Sequence, residues 1–273
     1  EQLGTRKIVP FEQRMLTIGR RVLCWQPKGG QQRISLQDPW DDRTLWSFEF
    51  ANGSKAAMVD QQAVAVLQPD GQFTLIELAD GKPLIRERLE PEKSLIGIHL
   101  LRSVGQYLLI TNSAARLETS SDVHPAASTA GYPRVNGRVY AFDASTGERA
   151  WAAPTPVPQY DLVTNQPSRL PLLVFVRQVQ RRRSSGRREA NTSVLCIDKR
   201  SGKVVFQNDA LTTTMLAGLE LSGDPTSDTV TLALPPKVIE LTLTNEPVDG
   251  ASDSVPDTAD EEPNEPAPDE PVE

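Results

Sequence analysis

Val139-Tyr-Ala-Phe-Asp-Ala-Ser-Thr-Gly-Glu-Arg-Ala-Trp151 decides how this chain is read. Apolar and polar residues alternate up to Asp143, a turn follows through Gly147, and the run resumes toward Trp151. Alternation on both sides of an Asp/Thr/Gly turn predicts an antiparallel hairpin. The Asp carboxylate and the Thr hydroxyl can bond turn N–H groups, and glycine can take a positive φ.

The pattern recurs. Val194-Leu-Cys-Ile-Asp-Lys-Arg-Ser-Gly-Lys-Val-Val-Phe206 matches it without a gap. Asp198 stands for Asp143, Gly202 for Gly147 and Phe206 for Trp151. Val22 to Ile34 is a fainter copy with Gly30 and Ile34 in the key places, and Leu75 to Leu84 fits with a shorter turn at Gly81. A strand-built repeat of roughly 40–50 residues predicts an all-β fold, a β-propeller. Its blades are four-stranded and antiparallel, and extra spacing is loop insertion. Ala56–Val59, Ala63–Leu67, Phe73–Leu78 and Leu84–Arg88 form the clearest complete blade. Strands at Arg14–Ile18, Arg21–Trp25, Gln32–Leu36 and Thr44–Phe50 precede it, and three at Leu219–Ser222, Thr229–Leu234 and Val238–Thr244 close the series. The count is about five blades, or part of a larger ring. Arg6–Val9 is a candidate closing strand, since an open sheet edge is normally covered.

Residues 1–245 read as the propeller and 246–273 as a disordered acidic tail. The tail holds eleven acids and six prolines with no Lys or Arg, and little in it can be buried. The charge of −7 is therefore misleading. Before Glu246 the chain carries 29 basic against 25 acidic side chains and is mildly basic. No apolar run is long enough to span a membrane. The N-terminus shows no basic segment leading into an apolar one, so no signal peptide is visible, but the chain begins at Glu1 and could be a processed piece. Cys24 and Cys196 take the same place in two repeats and read as separate, buried thiols. His99 and His124 have no neighbouring ligand cluster, so the sequence predicts no metal site.

Two stretches break the blade pattern. Between Asn112 and Asn136 the sequence turns rich in Ser, Thr, Ala and Pro, and from Gln178 to Thr192 it becomes polar and arginine-heavy. Each falls between the second and third strands of its blade, so both rim loops, 112–136 and 178–192, should emerge on one face. They are either tolerated surface excursions or a binding surface on a rigid scaffold. Arg177, Arg181, Arg182, Arg183, Arg187 and Arg188 put six arginines in twelve residues. Such a cluster is a solvated loop, a contact for an acidic protein partner or polyanion, or a partner for the acidic tail. Nucleic acid is disfavoured, because no aromatic residue is interleaved from Gln178 to Ser193.

Ala141, Asp143, Thr146, Gly147 and Trp151 fill every fixed position of A-x-D-x-x-T-G-x-x-x-W. That motif resembles the tryptophan-docking repeat of the quinoprotein-like (PQQ-repeat) propellers. The family includes quinone-dependent alcohol dehydrogenases and a non-enzymatic lipoprotein that assists outer-membrane protein assembly. The resemblance implies an extracytoplasmic, usually bacterial protein, with Trp151 packing across to a neighbouring blade near a turn glycine. A dehydrogenase of this type would need a stacking indole, a catalytic aspartate, calcium ligands and commonly an adjacent cysteine pair. No such pair exists, and Asp143 and Asp198 already serve turns. Trp25, Trp40 and Trp46 read as packing residues rather than a quinone platform. The sequence thus predicts a non-catalytic scaffold without cofactor, with a PQQ- and calcium-dependent oxidoreductase, or a fragment of one, as the alternative.

Overall fold

The computed structural model of the 273-residue chain describes Pro10 and residues 13–92, 94–114, 123–125, 132–182, 188–212, 219–224, 229–234 and 237–242. The chain divides into Glu1–Thr242 and Leu243–Glu273, and every described residue belongs to the first unit. The expected tail and the proposed closing strand Arg6–Val9 lie outside the described residues.

The protein is a β-propeller. Its first blade is β1 (Arg14–Ile18), β2 (Arg21–Lys28), β3 (Gln31–Asp38) and β4 (Arg43–Phe50), paired in that order. The second is β5 (Lys55–Val59), β6 (Ala63–Leu67), β7 (Gln72–Glu77) and β8 (Pro83–Arg88). All pairings within the two blades are antiparallel. The next strands are β9 (Leu95–Ser103), β10 (Gln106–Ser113), β11 (Val123–Pro125), β12 (Arg134–Asp143), β13 (Thr155–Leu162), β14 (Leu172–Arg182), β15 (Arg188–Asp198) and β16 (Val204–Thr212). They form one continuous sheet rather than two separate ones. The reason lies in β13. It pairs with β12 from Thr155 to Asp161 as the outer strand of blade three, then with β14 at Asp161 and Leu162 as the first strand of blade four. Because β13 and β14 lie between them in the sheet, the two matching segments around Gly147 and Gly202 do not pair with each other. A three-stranded sheet follows: β17 (Glu220–Asp224), β18 (Thr229–Leu234) and β19 (Lys237–Thr242).

The core lies in slabs between blades. Leu23, Ile34 and Leu36 of blade one meet Val64, Val66 and Ile76 of blade two. Phe73, Leu75 and Ile85 of blade two meet Tyr140 and Phe142 of blade three, with the Phe73 and Phe142 rings stacked at 5.0 Å between centroids. Val139 and Ala141, on the other face of β12, join Trp151, Phe175 and Ile197 at the next seam. The period-two alternation read from 139–142 is thus the division of one strand between two interfaces.

Each seam is closed at a turn. Asp143 accepts hydrogen bonds from the Ser145 hydroxyl and from the backbone N–H groups of Ser145 and Thr146. Those bonds hold its carboxyl at about 2, the Ser145 hydroxyl contributing most. Gly147 N–H closes the turn on Asp143 O at 2.9 Å, and Gly202 N–H does the same on Asp198 O at 2.8 Å. Gly81, Gly147 and Gly202 have φ of 78, 76 and 74°. A Cβ on Gly202 would lie 2.6 Å from the Trp151 ring, and one on Gly81 would lie 2.6 Å from Trp46. Both indoles make the same second contact. Trp151 Nε1 donates to Lys199 O at 2.9 Å, and Trp46 Nε1 donates to Leu78 O at 3.1 Å, each acceptor three residues before the covered glycine. At Gly147 the neighbouring blade offers the Leu84 carbonyl and Ile85 instead, and Arg149 adds an ion pair to Glu87 at 3.1 Å and a hydrogen bond to Arg88 O.

Two expectations need correction. Gly30 lies between the second and third strands of blade one, whereas Gly81, Gly147 and Gly202 lie between third and fourth strands. The equivalent of the turn glycine in blade one is Asp42, with φ of 51°, four residues before Trp46. The Val22–Ile34 segment resembled the repeat because any strand–Gly–strand hairpin shares its alternation. For the same reason Cys24, on β2, and Cys196, on β15, are not in equivalent positions. Both are free and buried, and burial pushes the Cys196 thiol up to about 12.

Trp151→Ala should lower stability by ~3–5 kcal/mol, the range for removing a buried large aromatic side chain. Gly202→Ala should cost more than ~1 kcal/mol, since both the positive φ and the indole oppose a Cβ. Urea unfolding measures both. Lys199 is 5% exposed, and burial draws its ammonium from 10.5 down to about 8. Between those values the unfolded chain binds more protons than the folded one, so stability rises with pH across that window. Lys199→Met should raise the urea midpoint at neutral pH and flatten that rise.

Candidate functional site

The two insertions meet. β10 ends at Ser113 and β12 begins at Arg134, and the chain between them contributes β11. β11 pairs antiparallel with β14, Val123 opposite Arg181, His124 opposite Gln180 and Pro125 opposite Val179. The arginine-rich insert is therefore not a loop from Gln178 to Thr192. β14 runs on to Arg182 and β15 starts at Arg188, so the insert is an extended hairpin registered from Leu172–Asp198 to Arg182–Arg188. β16 supports its base, with Thr212 opposite Asn191 and Leu211 opposite Thr192. Alternation failed to reveal this hairpin because its residues are polar at successive positions, so no face is marked by hydrophobicity. Gln178-Val-Gln180 is the one local signal for it, since neither the β-branched Val179 nor the flanking amides interrupt a strand.

The arginines divide. Arg177 is engaged within the chain: its guanidinium lies 4.6 Å from the Tyr160 ring centroid and 3.4 Å from Asp209. Tyr160 in turn donates to Asp209 at 3.1 Å. Burial pushes the Tyr160 phenol up to about 12. Burial alone would raise Asp209, but hydrogen bonds led by Gln207 and the charge of Arg177 hold it below the ordinary carboxylate range. Arg177 thus locks the root of the hairpin instead of waiting for a partner. Arg181 is registered opposite Glu189, and Arg182 directly opposite Arg188. Arg183 and Arg187 lie outside the described residues.

The root of the other insertion is built from polar side chains. The ladder between β10 and β12 runs from Gln106 opposite Asp143 to Ile110 opposite Val139. Beyond it, Asn112 Oδ1 accepts from Asn136 N at 3.0 Å, and Asn112 Nδ2 donates to Arg134 O at 2.8 Å. Ser113 donates to Glu92 at 2.7 Å, and Arg138 pairs with Glu90 and Glu92 at 3.0 and 3.1 Å. Arg134 grips the buried Asp161 through two nitrogens, at 2.9 and 3.4 Å. Gly137 is needed here for close approach, since a Cβ would lie 2.1 Å from Thr111 O. The excursion leaves the blade from a fixed base and reaches the neighbouring hairpin.

The quinone and calcium group that the resemblance raised does not fit the described residues. Trp46 and Trp151 are spent covering turns, Trp25 packs 6.3 Å from Phe50, and Trp40 is exposed on a turn. The two cysteines sit in separate blades, and among the described residues no three His, Cys, Asp or Glu side chains form a metal-binding group. His99, on β9, is half-buried, and that burial lowers its pKa, whereas His124 lies on β11. No helix among the described residues is long and apolar enough to cross a membrane.

No curated protein matches the chain by sequence. Among solved structures it is similar to BamB from Moraxella catarrhalis, at 12% identity and a TM-score of 0.32, covering 88% of this chain and 91% of that one. It is also similar to hydrazine synthase from Kuenenia stuttgartiensis, at 13% identity and a TM-score of 0.37, covering 85% of this chain and 56% of that one. The quinohemoprotein alcohol dehydrogenase ADHIIG from Pseudomonas putida HK5 gives 14% identity and a TM-score of 0.37, covering 80% of this chain and 38% of that one. Residues 30–232 match the family model described as outer membrane protein assembly factor BamB, and with most of its blades inside that match the chain belongs to this family of PQQ-repeat β-propellers.

Proposed function

We propose that the chain is a non-catalytic platform that binds a protein partner during assembly in the bacterial cell envelope. The observation that carries this reading is the pairing of β11 with β14, which joins excursions from two blades into one sheet at one end of the scaffold. A rigid repeat that sends two long insertions to the same place is suited to presenting a surface. The basic register positions of that sheet favour an acidic partner. The family description, an outer membrane protein assembly factor, supports the envelope location and a role outside catalysis. The poor fit to a quinone and calcium points the same way, although a fold by itself does not assign function.

Replacing 178–192 by a two-residue Asn-Gly turn tests this in a bacterium lacking its own member of the family. The intact chain should restore outer-membrane protein levels, and the shortened chain should not, while still unfolding in urea in one cooperative transition. Arg181→Gln with Arg182→Gln and Arg188→Gln should reproduce the loss without shortening the backbone. Dye-linked alcohol oxidation by the purified chain with PQQ and calcium would overturn the proposal.

A further inference from the structure

β11 is a weak occupant of a strong edge. One side of β14 is covered along its whole length by β15. The other side is covered by β13 only at Val176 and Phe175, and β11 takes it up at Val179, Gln180 and Arg181. β11 is three residues long, and one of them is Pro125, which has no N–H to give to the ladder. Proline and short length are the features by which proteins blunt a sheet edge. The strand comes from the insertion of the preceding blade, so it occupies this edge by covalent tethering and a high local concentration more than by its own pairing. Arg181 and Arg182 lie on β14 at the end of that edge, and β15 sets Glu189 and Arg188 opposite them on its far side. These four register positions hold three arginines and one acid. Register positions that are mostly basic suit an acidic incoming segment.

We propose that the β14 edge from Val179 to Arg182 is a strand-addition site for an extended, acidic, proline-free segment of a protein partner. β11 holds the site within the chain and leaves it when the partner strand adds. The proposal rests on the platform reading and specifies how that platform recognises its partner. Main-chain hydrogen bonds supply the affinity, and the arginine positions select acidic side chains. A longer strand with every N–H present forms more ladder bonds than Val123–Pro125 can.

The test uses the full chain and a fluorescent peptide of about eight residues that alternates Val and Glu, near the usual strand length. Anisotropy reads its binding to three forms of the chain. In the first, Val123, His124 and Pro125 are each replaced by glycine, which removes β11's hold. In the second, His124→Cys with Gln180→Cys ties β11 in place; Cys24 and Cys196 are buried and should not interfere. The third is the unaltered chain. The glycine variant should bind about ten-fold more tightly than the unaltered chain, because the tethered competitor is gone. The tied form should bind least and recover on reduction. Hydrogen exchange should show peptide-dependent protection at Val179–Arg182. A peptide with Lys in place of Glu should not bind. Equal affinity for all three forms, protection elsewhere, or equal binding of the Lys peptide would overturn the proposal. If the peptide fails while shortening 178–192 still abolishes function in cells, the platform stands and strand addition falls.

Discussion

An indole laid flat over the glycine of the next blade, with its N–H donated to a carbonyl three residues earlier, is the contact on which this architecture depends. It solves a problem particular to radial repeats. A four-stranded sheet has two broad faces to bury, and each neighbour must be held at one angle and one height. Side chains in the slabs between blades supply hydrophobic burial, but burial is non-directional. The Trp151–Gly202 and Trp46–Gly81 contacts add direction: the ring fits only where no Cβ stands, and the N–H reaches only one acceptor. Where Ile85 replaces the indole, the missing donor is answered by Arg149, through Glu87 and the Arg88 carbonyl.

With blades fixed in this way, the end of the scaffold where second strands pass to third strands is free to vary. Both long insertions arise there, and each has its own anchor. The first is tied by amide and carboxylate side chains around Asn112, Asn136 and Glu92. The second is tied by Arg177 between an aromatic ring and Asp209. These anchors are polar because they lie where the ladder bonds run out and backbone groups need other partners.

How much of this could be read from the sequence follows from what carries a period. The blades were legible at 55–88 because alternation and turn residues agree strand by strand. The same alternation runs from Val139 to Phe142, where Tyr140 and Phe142 join one seam and Val139 and Ala141 the next. The docking turn of blade one was misplaced, because Asp42 takes a backbone conformation that Gly30 advertises more openly. Trp46 could have corrected this, since it stands four residues after Asp42 just as Trp151 stands four after Gly147. The arginine hairpin was hidden by its uniform polarity. Its meeting with Val123–Pro125 was hidden because strand pairing between distant segments leaves no mark on either one alone. The shared face of the two insertions, by contrast, followed from counting strands.

That meeting ties the histories of two distant segments. A deletion that removed Val123–Pro125 would strip a neighbour from the hairpin of the following blade, and a hairpin cut back to its base would leave the earlier excursion with nothing to lie against. The pair is a single structural unit divided across two repeats. Across relatives, the lengths of the two excursions should grow and shrink together, while the blades beneath them keep their dimensions.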